Sequence, residues 1–265
     1  MILREMGQPV SQIWAAQVYL KTNIAKYLPS NLVHYYGRTL GATDIGVPLG
    51  PAFLSVILDT LLMAAAGLIF ALLSVPRQGL LAAALVLVII LIMLHPGILG
   101  RIVRVLQQQL KWQQSSASPT QLPLRHYPLR PLLGEMLFVL LKGIGFVFVV
   151  LALTPIQPQM IAPLISIYSA GWLLGFITPG VPGGIGIVEL TVSTLLSHPG
   201  VLGGHQTLPV GLALAAVGLH RLTNTLAETM GAGLATLDTK LPELIWRSPN
   251  SSPTHQPSPS LWDSK

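Results

Sequence analysis

A run of proline and glycine, Thr178-Pro179-Gly180-Val181-Pro182-Gly183-Gly184, interrupts sequence that is otherwise apolar. Before it, QMIAPLISIYSAGWLLGFITP is long enough for a buried span. After it, IGIVELTVSTLLS resumes with Glu189 set among apolar residues. A loop of this kind in water would carry polar side chains. In a bilayer the break leaves backbone N–H and C=O groups that protein or a water-lined cavity must satisfy. The stretch therefore reads as a broken membrane segment, with 182–197 either spanning or re-entering and an ionisable residue beside the break.

The rest of the chain agrees with a membrane setting. Of its 265 residues, 9% are charged and 51% hydrophobic, whereas a globular domain has roughly 25% charged residues. Several long apolar runs with so few charges predict an all-α, polytopic integral membrane bundle, with length for roughly six spans. No cysteine is present, which excludes disulfides and thiolate metal sites. The formal charge of +6 fits cytoplasmic flanking residues rather than a nucleic-acid partner.

Three regions follow: interfacial, amphipathic segments over 1–50, a transmembrane bundle over 51–240, and a polar Pro/Ser tail over 241–265 predicted to be disordered. The opening residues show no cleavable signal, and the start on an interfacial-looking segment is read either as a missing upstream span or as a misassigned start. Residues 12–28 mix apolar residues with Lys21 and Lys26. Trp14, Tyr19 and Tyr27 suit a membrane interface, so a surface or edge-packed helix ending at Pro29 is expected. Spans are predicted over about 51–74, 79–95, 132–153 and the broken 160–197, with a last span in 207–235. Between them, 97–113 reads as a basic amphipathic helix and 114–131 as a polar linker.

Charge orients these spans. The 95–131 connection holds Arg101, Arg104, Lys111, Arg125 and Arg130 with no acid, while 154–159 and 198–206 hold no charge. The basic connection, 96–131, and the tail are therefore expected in the cytoplasm of a cell inner membrane.

Ionisable residues inside spans are costly and usually face a bundle interior or polar path. Asp59, Glu135, Lys142, Glu189, Arg221 and Glu228 qualify. Glu135 and Lys142 are read as close to a membrane face, and Glu228 as close to the inner interface. His220 is read as a packing residue. Pro182 and the glycines Gly183, Gly184 and Gly186 admit unusual backbone angles and close approach. A helix starting near Gly184 would aim free N–H groups at an anion such as a lipid phosphate, or the turn serves simply to join two helices. Arg38 or Arg221 could grip a phosphate bidentately. Glu189 would either hold an arginine or meet a cationic headgroup. Lys26-Tyr27-Leu28-Pro29-Ser30 forms a second interrupted element, and paired interruptions point to a transport site at a repeat interface.

The segment GFITPGVPGGIGIVEL resembles the signature of the lysylphosphatidylglycerol synthase transmembrane region, the flippase-like domain family: Gly-Phe-x-x-Pro, then Pro-Gly-Gly-x-Gly-x-x-Glu. Gly175, Phe176, Pro179, Pro182, Gly183, Gly184, Gly186 and Glu189 match it. Upstream, KTNIAKYLPSNLVHYYGR is similar to the family's Tyr-Leu-Pro segment with its later arginine, here Arg38. Asp59 and Arg221 resemble the Asp of the next span and the arginine of a late span. Ser30 stands where the family commonly has Gly.

The resemblance implies a lipid flippase-like transporter, not an enzyme, moving phospholipid, aminoacylated or glycosylated lipid between leaflets. The implied contacts are Arg38, Asp59, Pro182, Gly183, Gly184, Gly186, Glu189 and Arg221. Membrane lipids with charged or glycosylated headgroups are the expected partners, together with an enzyme of membrane synthesis. No cofactor or metal is expected. The competing reading is a non-catalytic scaffold for a lipid or glycan synthesis enzyme, docked through the basic 97–131 region.

Overall fold

The computed structural model describes residues 2–27, 33–74, 77–95, 97, 98, 101, 127–178, 180–199, 202 and 207–246. It is an all-α bundle. A short α1 (Ile2–Glu5) precedes α2 (Gln12–Asn23), a 3₁₀ turn (Ile24–Tyr27) and α3 (Val33–Asp44). Then come α4 (Leu49–Ala71), α5 (Arg77–Met93) and α6 (Leu129–Leu153). The 3₁₀ turn Pro158–Met160 leads into α7 (Ile161–Ile177). Another, Pro182–Gly184, leads into α8 (Ile187–Ser197), and α9 (Val210–Trp246) closes the described fold.

Leu49–Ala71, Leu129–Leu153 and Pro158–Ile177 are long and apolar enough to cross a membrane, each reaching roughly 30 Å or more at 1.5 Å per residue. α5 is a shorter apolar helix. Large apolar side chains stay exposed at helical spacing: Leu133, Leu137 and Leu141 on α6, and Leu222, Leu226, Met230 and Leu234 on α9. A stripe of this kind would be unfavourable in water but is matched to lipid chains. Opposite these stripes, Phe146, Leu164, Ile167, Val192, Leu196 and Val217 knit α6 to α9 into one core. A second core, Leu54, Leu58, Leu62 and Leu132, joins α4 to α6 and collects Ile2 of α1.

The bundle contains two helical hairpins, and they pack reciprocally. In the first, α2 runs to the 3₁₀ turn and α3 returns. In the second, α7 runs to the Pro/Gly break and α8 returns. Each returning arm packs on the long helix that follows it, α3 on α4 and α8 on α9. Each outgoing arm packs on the long helix of the other hairpin, α2 on α9 and α7 on α4. The two 3₁₀ turns touch each other.

This arrangement revises part of the sequence-based expectation. Within residues 12–27, α2 packs against α9 along one edge with none of its residues fully buried, and Tyr19 and Tyr27 line the interior of the bundle. The last helix continues past the predicted 235 to Trp246, beyond the expected start of the tail. The amphipathic helix 97–113 falls outside the described residues except for 97, 98 and 101. Most of the linker 114–131 and the tail from 247 fall outside them as well.

Candidate functional site

The second hairpin turns where its sequence forbids helix. Thr178 precedes Pro179 and is extended (φ −80°, ψ 113°), as the proline ring demands of the residue before it. Val181, before Pro182, is extended for the same reason. Gly184 then takes φ +70°, and a Cβ placed on it would lie 2.8 Å from the Gly175 Cα. Glycine at both positions lets the turn lie backbone to backbone against α7.

Helix α8 starts at Ile187, not near Gly184. The turn before it uses its own donors internally. Gly184 N–H donates to Val181 O and Ile185 N–H to Pro182 O. Gly186 N–H donates to Glu189 Oε2 at 2.6 Å, so the helix carries its own carboxylate as a cap. The other oxygen of Glu189 accepts from Arg221 Nη1 at 2.6 Å, and Arg221 Nη2 donates to the Gly183 carbonyl. Arg221 thus ties the break to α9. It lies eleven residues beyond Val210, roughly 16 Å along the helix, which places the turn deep in the bundle.

The first hairpin repeats this arrangement with charges exchanged. Arg38, on returning arm α3, donates through Nη1 to Asp59 Oδ2 on α4 at 2.8 Å. Asp59 lies ten residues beyond Leu49, roughly 15 Å into its helix. The Arg38 guanidinium also covers the Tyr19 ring, 4.2 Å from the centroid.

A third ionic group joins the two hairpins. Lys26, at the first tip, donates to Glu228 Oε1 at 2.7 Å, and Lys142 on α6 reaches the same oxygen at 3.4 Å. The Tyr27 hydroxyl donates to Glu228 Oε2 at 3.0 Å, while its ring lies against Gly183. Lys142 and Glu228 therefore sit inside the bundle, not at the membrane faces where the sequence reading put them. Lys26 is named in the sequence reading only within residues 12–28 and the interrupted Lys26–Ser30 element, with no role of its own. A sequence cue existed only in its place beside the Pro29 interruption.

These groups line one interior cavity of 110 Å³. Arg38, Asp59, Gly183 and Arg221 from the predicted set border it, with Lys26, Lys142 and Glu228. Glu189 reaches it through Arg221, and Pro182, Gly184 and Gly186 shape the turn behind it. Trp172 and Phe176 stack at 5.3 Å on its apolar wall. A second cavity, of 540 Å³, lies among α1, α2, α3, α4 and α6 and holds Glu135. Tyr19, Arg38 and Asp59 border both cavities, so the Arg38–Asp59 pair is the partition between them. Among the described residues, no group of three or more His, Cys, Asp or Glu side chains could hold a metal ion.

Three buried nitrogens at the interior cavity lack a hydrogen-bond partner among the described residues: His34 Nδ1, Arg38 Nε and His220 Nε2. Both histidines are 5% exposed. His220 does pack as expected, edge-on to Phe146 and Tyr168, and it is also one of the residues that line the cavity.

No family model, curated protein or solved structure matches the chain.

Proposed function

We propose that this polytopic membrane bundle is a flippase-like transporter that passes the polar headgroup of a lipid through its interior cavity while the chains stay in the bilayer. The reading rests on one observation above all. Two broken elements bring their tips together about halfway along the long helices, and the hollow between them is lined by charged side chains from both halves. Charges at such depth are retained where they serve a polar path, and paired broken elements build midplane sites in transporters.

With α4, α5 and α6 each crossing once, the two hairpins open toward opposite faces. The basic 96–131 connection and the C-terminal end lie on the cytoplasmic side of a cell inner membrane by the positive-inside rule. The resemblance of 175–190 to the flippase-like signature supports the same function. Headgroup contact falls to the cavity wall, while Glu189 holds Arg221 and the glycine turn in position.

Reconstitution in vesicles carrying labelled phospholipid tests this function. Wild-type protein is expected to speed lipid exchange between leaflets, and Glu189→Gln and Arg221→Ala are expected to slow it. Equal rates for wild type, both variants and empty vesicles would refute it.

A further inference from the structure

The ionic groups of the interior cavity do not balance. Arg38 is matched by Asp59 and Arg221 by Glu189, each one to one. Lys26 and Lys142 share a single carboxylate, Glu228, through the same oxygen. Glu135 does not make up the difference, because it faces the second cavity beyond the Arg38–Asp59 partition. Among the described residues, the interior cavity thus keeps one positive charge in excess where charge is poorly solvated. Its second ammonium is held loosely, at 3.4 Å from Glu228 and 3.5 Å from Asn224 Oδ1. The sequence reading assigned anion binding to Arg38, Arg221 and the glycine turn. The pairing of both arginines and the internal capping of the turn leave the lysines as the better-placed cations.

We propose that Lys26 and Lys142 form an anion-binding site for a phosphate mono- or diester. Both ammonium groups approach one oxygen of Glu228, so a single tetrahedral anion beside that carboxylate can touch both. His34, Arg38 and His220, each with a buried nitrogen that has no partner among the described residues, line the same hollow. A volume of 110 Å³ admits several water-sized groups, enough for a phosphate and its first substituents. The aromatic pair Trp172 and Phe176 gives the substituent an apolar face. Such an anion would occupy the position that the excess charge calls for, as ammonium–phosphate hydrogen bonds are among the stronger ones. This inference rests on the transporter reading for its biological meaning, but not for its physical basis.

The test is ligand-induced thermal stabilisation of the full chain in an uncharged detergent. Three probes are compared: inorganic phosphate, short-chain phosphatidylglycerol, and short-chain diacylglycerol, which lacks the phosphate. Phosphatidylglycerol is expected to stabilise and diacylglycerol not to. Stabilisation by inorganic phosphate with none by phosphatidylglycerol would still support the site and identify free phosphate as its source. Lys26→Gln and Lys142→Gln should each weaken the effective probe by about tenfold or more. Lys26→Arg and Lys142→Arg should largely keep it, and Glu228→Gln should not weaken it.

Failure of all probes on the wild type would overturn the site, as would equal stabilisation by diacylglycerol or unchanged affinity in both Lys→Gln variants. Vesicle assays separate the two readings. Lysine-dependent binding without lipid movement sinks the transporter and keeps the site, whereas lipid movement indifferent to both lysines does the reverse.

Discussion

Glu189 and Arg221 are joined at 2.6 Å, and the same carboxylate caps its own helix through Gly186 N–H. One side chain therefore fixes both the start of α8 and its attachment to α9. Arg38 and Asp59 hold the equivalent place in the first hairpin, with the cation and the acid exchanged between arm and long helix.

The Glu189–Arg221 contact predicts a measurable coupling. Glu189→Gln and Arg221→Gln should each lower unfolding stability in detergent. The double variant should lose less than the sum, leaving a coupling of about 1–2 kcal/mol. The pair is partly exposed, so the upper range for fully buried pairs does not apply. Strict additivity would mean that the two side chains do not meet.

The glycines differ in what they tolerate. Gly184→Ala must place a side chain at φ +70° and 2.8 Å from the Gly175 Cα, and should cost about 2–4 kcal/mol. Gly218→Ala meets nothing within 4 Å in α9 and should be neutral or stabilising by up to about 1 kcal/mol. Thermal denaturation of the two variants checks the contrast. Equal, small effects would show that the turn does not lie against α7.

The partition between the cavities can be probed because the chain has no cysteine of its own. Thr60→Cys places one thiol on the interior cavity. A membrane-impermeant maleimide should label it slowly, and adding Arg38→Ala should speed labelling several-fold from the side of the second cavity. Unchanged kinetics would mean that Arg38 and Asp59 close nothing.

The mouths of the hairpins give a topological check. Single cysteines at Ile45 and Gln157, the first exposed between α3 and α4 and the second exposed before α7, should be labelled from opposite faces of sealed vesicles. Labelling of both from one face would contradict the opposed hairpins.

Much of this architecture was legible in the sequence, because apolar length and Pro/Gly interruption act locally. The spans beginning near 51, 79 and 132 reappear as α4, α5 and α6, and the break at 178–184 is where α7 ends. Glu189 and Arg221 stood out because each is a charge in apolar surroundings, a cost that needs a partner. The Lys26–Glu228–Lys142 group was not legible. Its members come from a hairpin tip and two separate helices, and helical periodicity says nothing about which faces meet across the bundle. Tyr19 and Tyr27 misled for a related reason: a ring with a polar tip suits a membrane interface and a polar cavity equally. The first hairpin looked interfacial because its arms are short and polar, while α2 finds its packing partner in α9, more than 180 residues downstream.

An experimental density map of the protein in a lipid nanodisc tests the central claim most directly, that both hairpin tips end in one charged hollow inside the bundle. The expected map shows the Tyr27 ring against Gly183, with the Arg38–Asp59 and Arg221–Glu189 pairs at the walls of a shared cavity. Tips on separate outer surfaces, with packed apolar side chains filling the space between them, would contradict it.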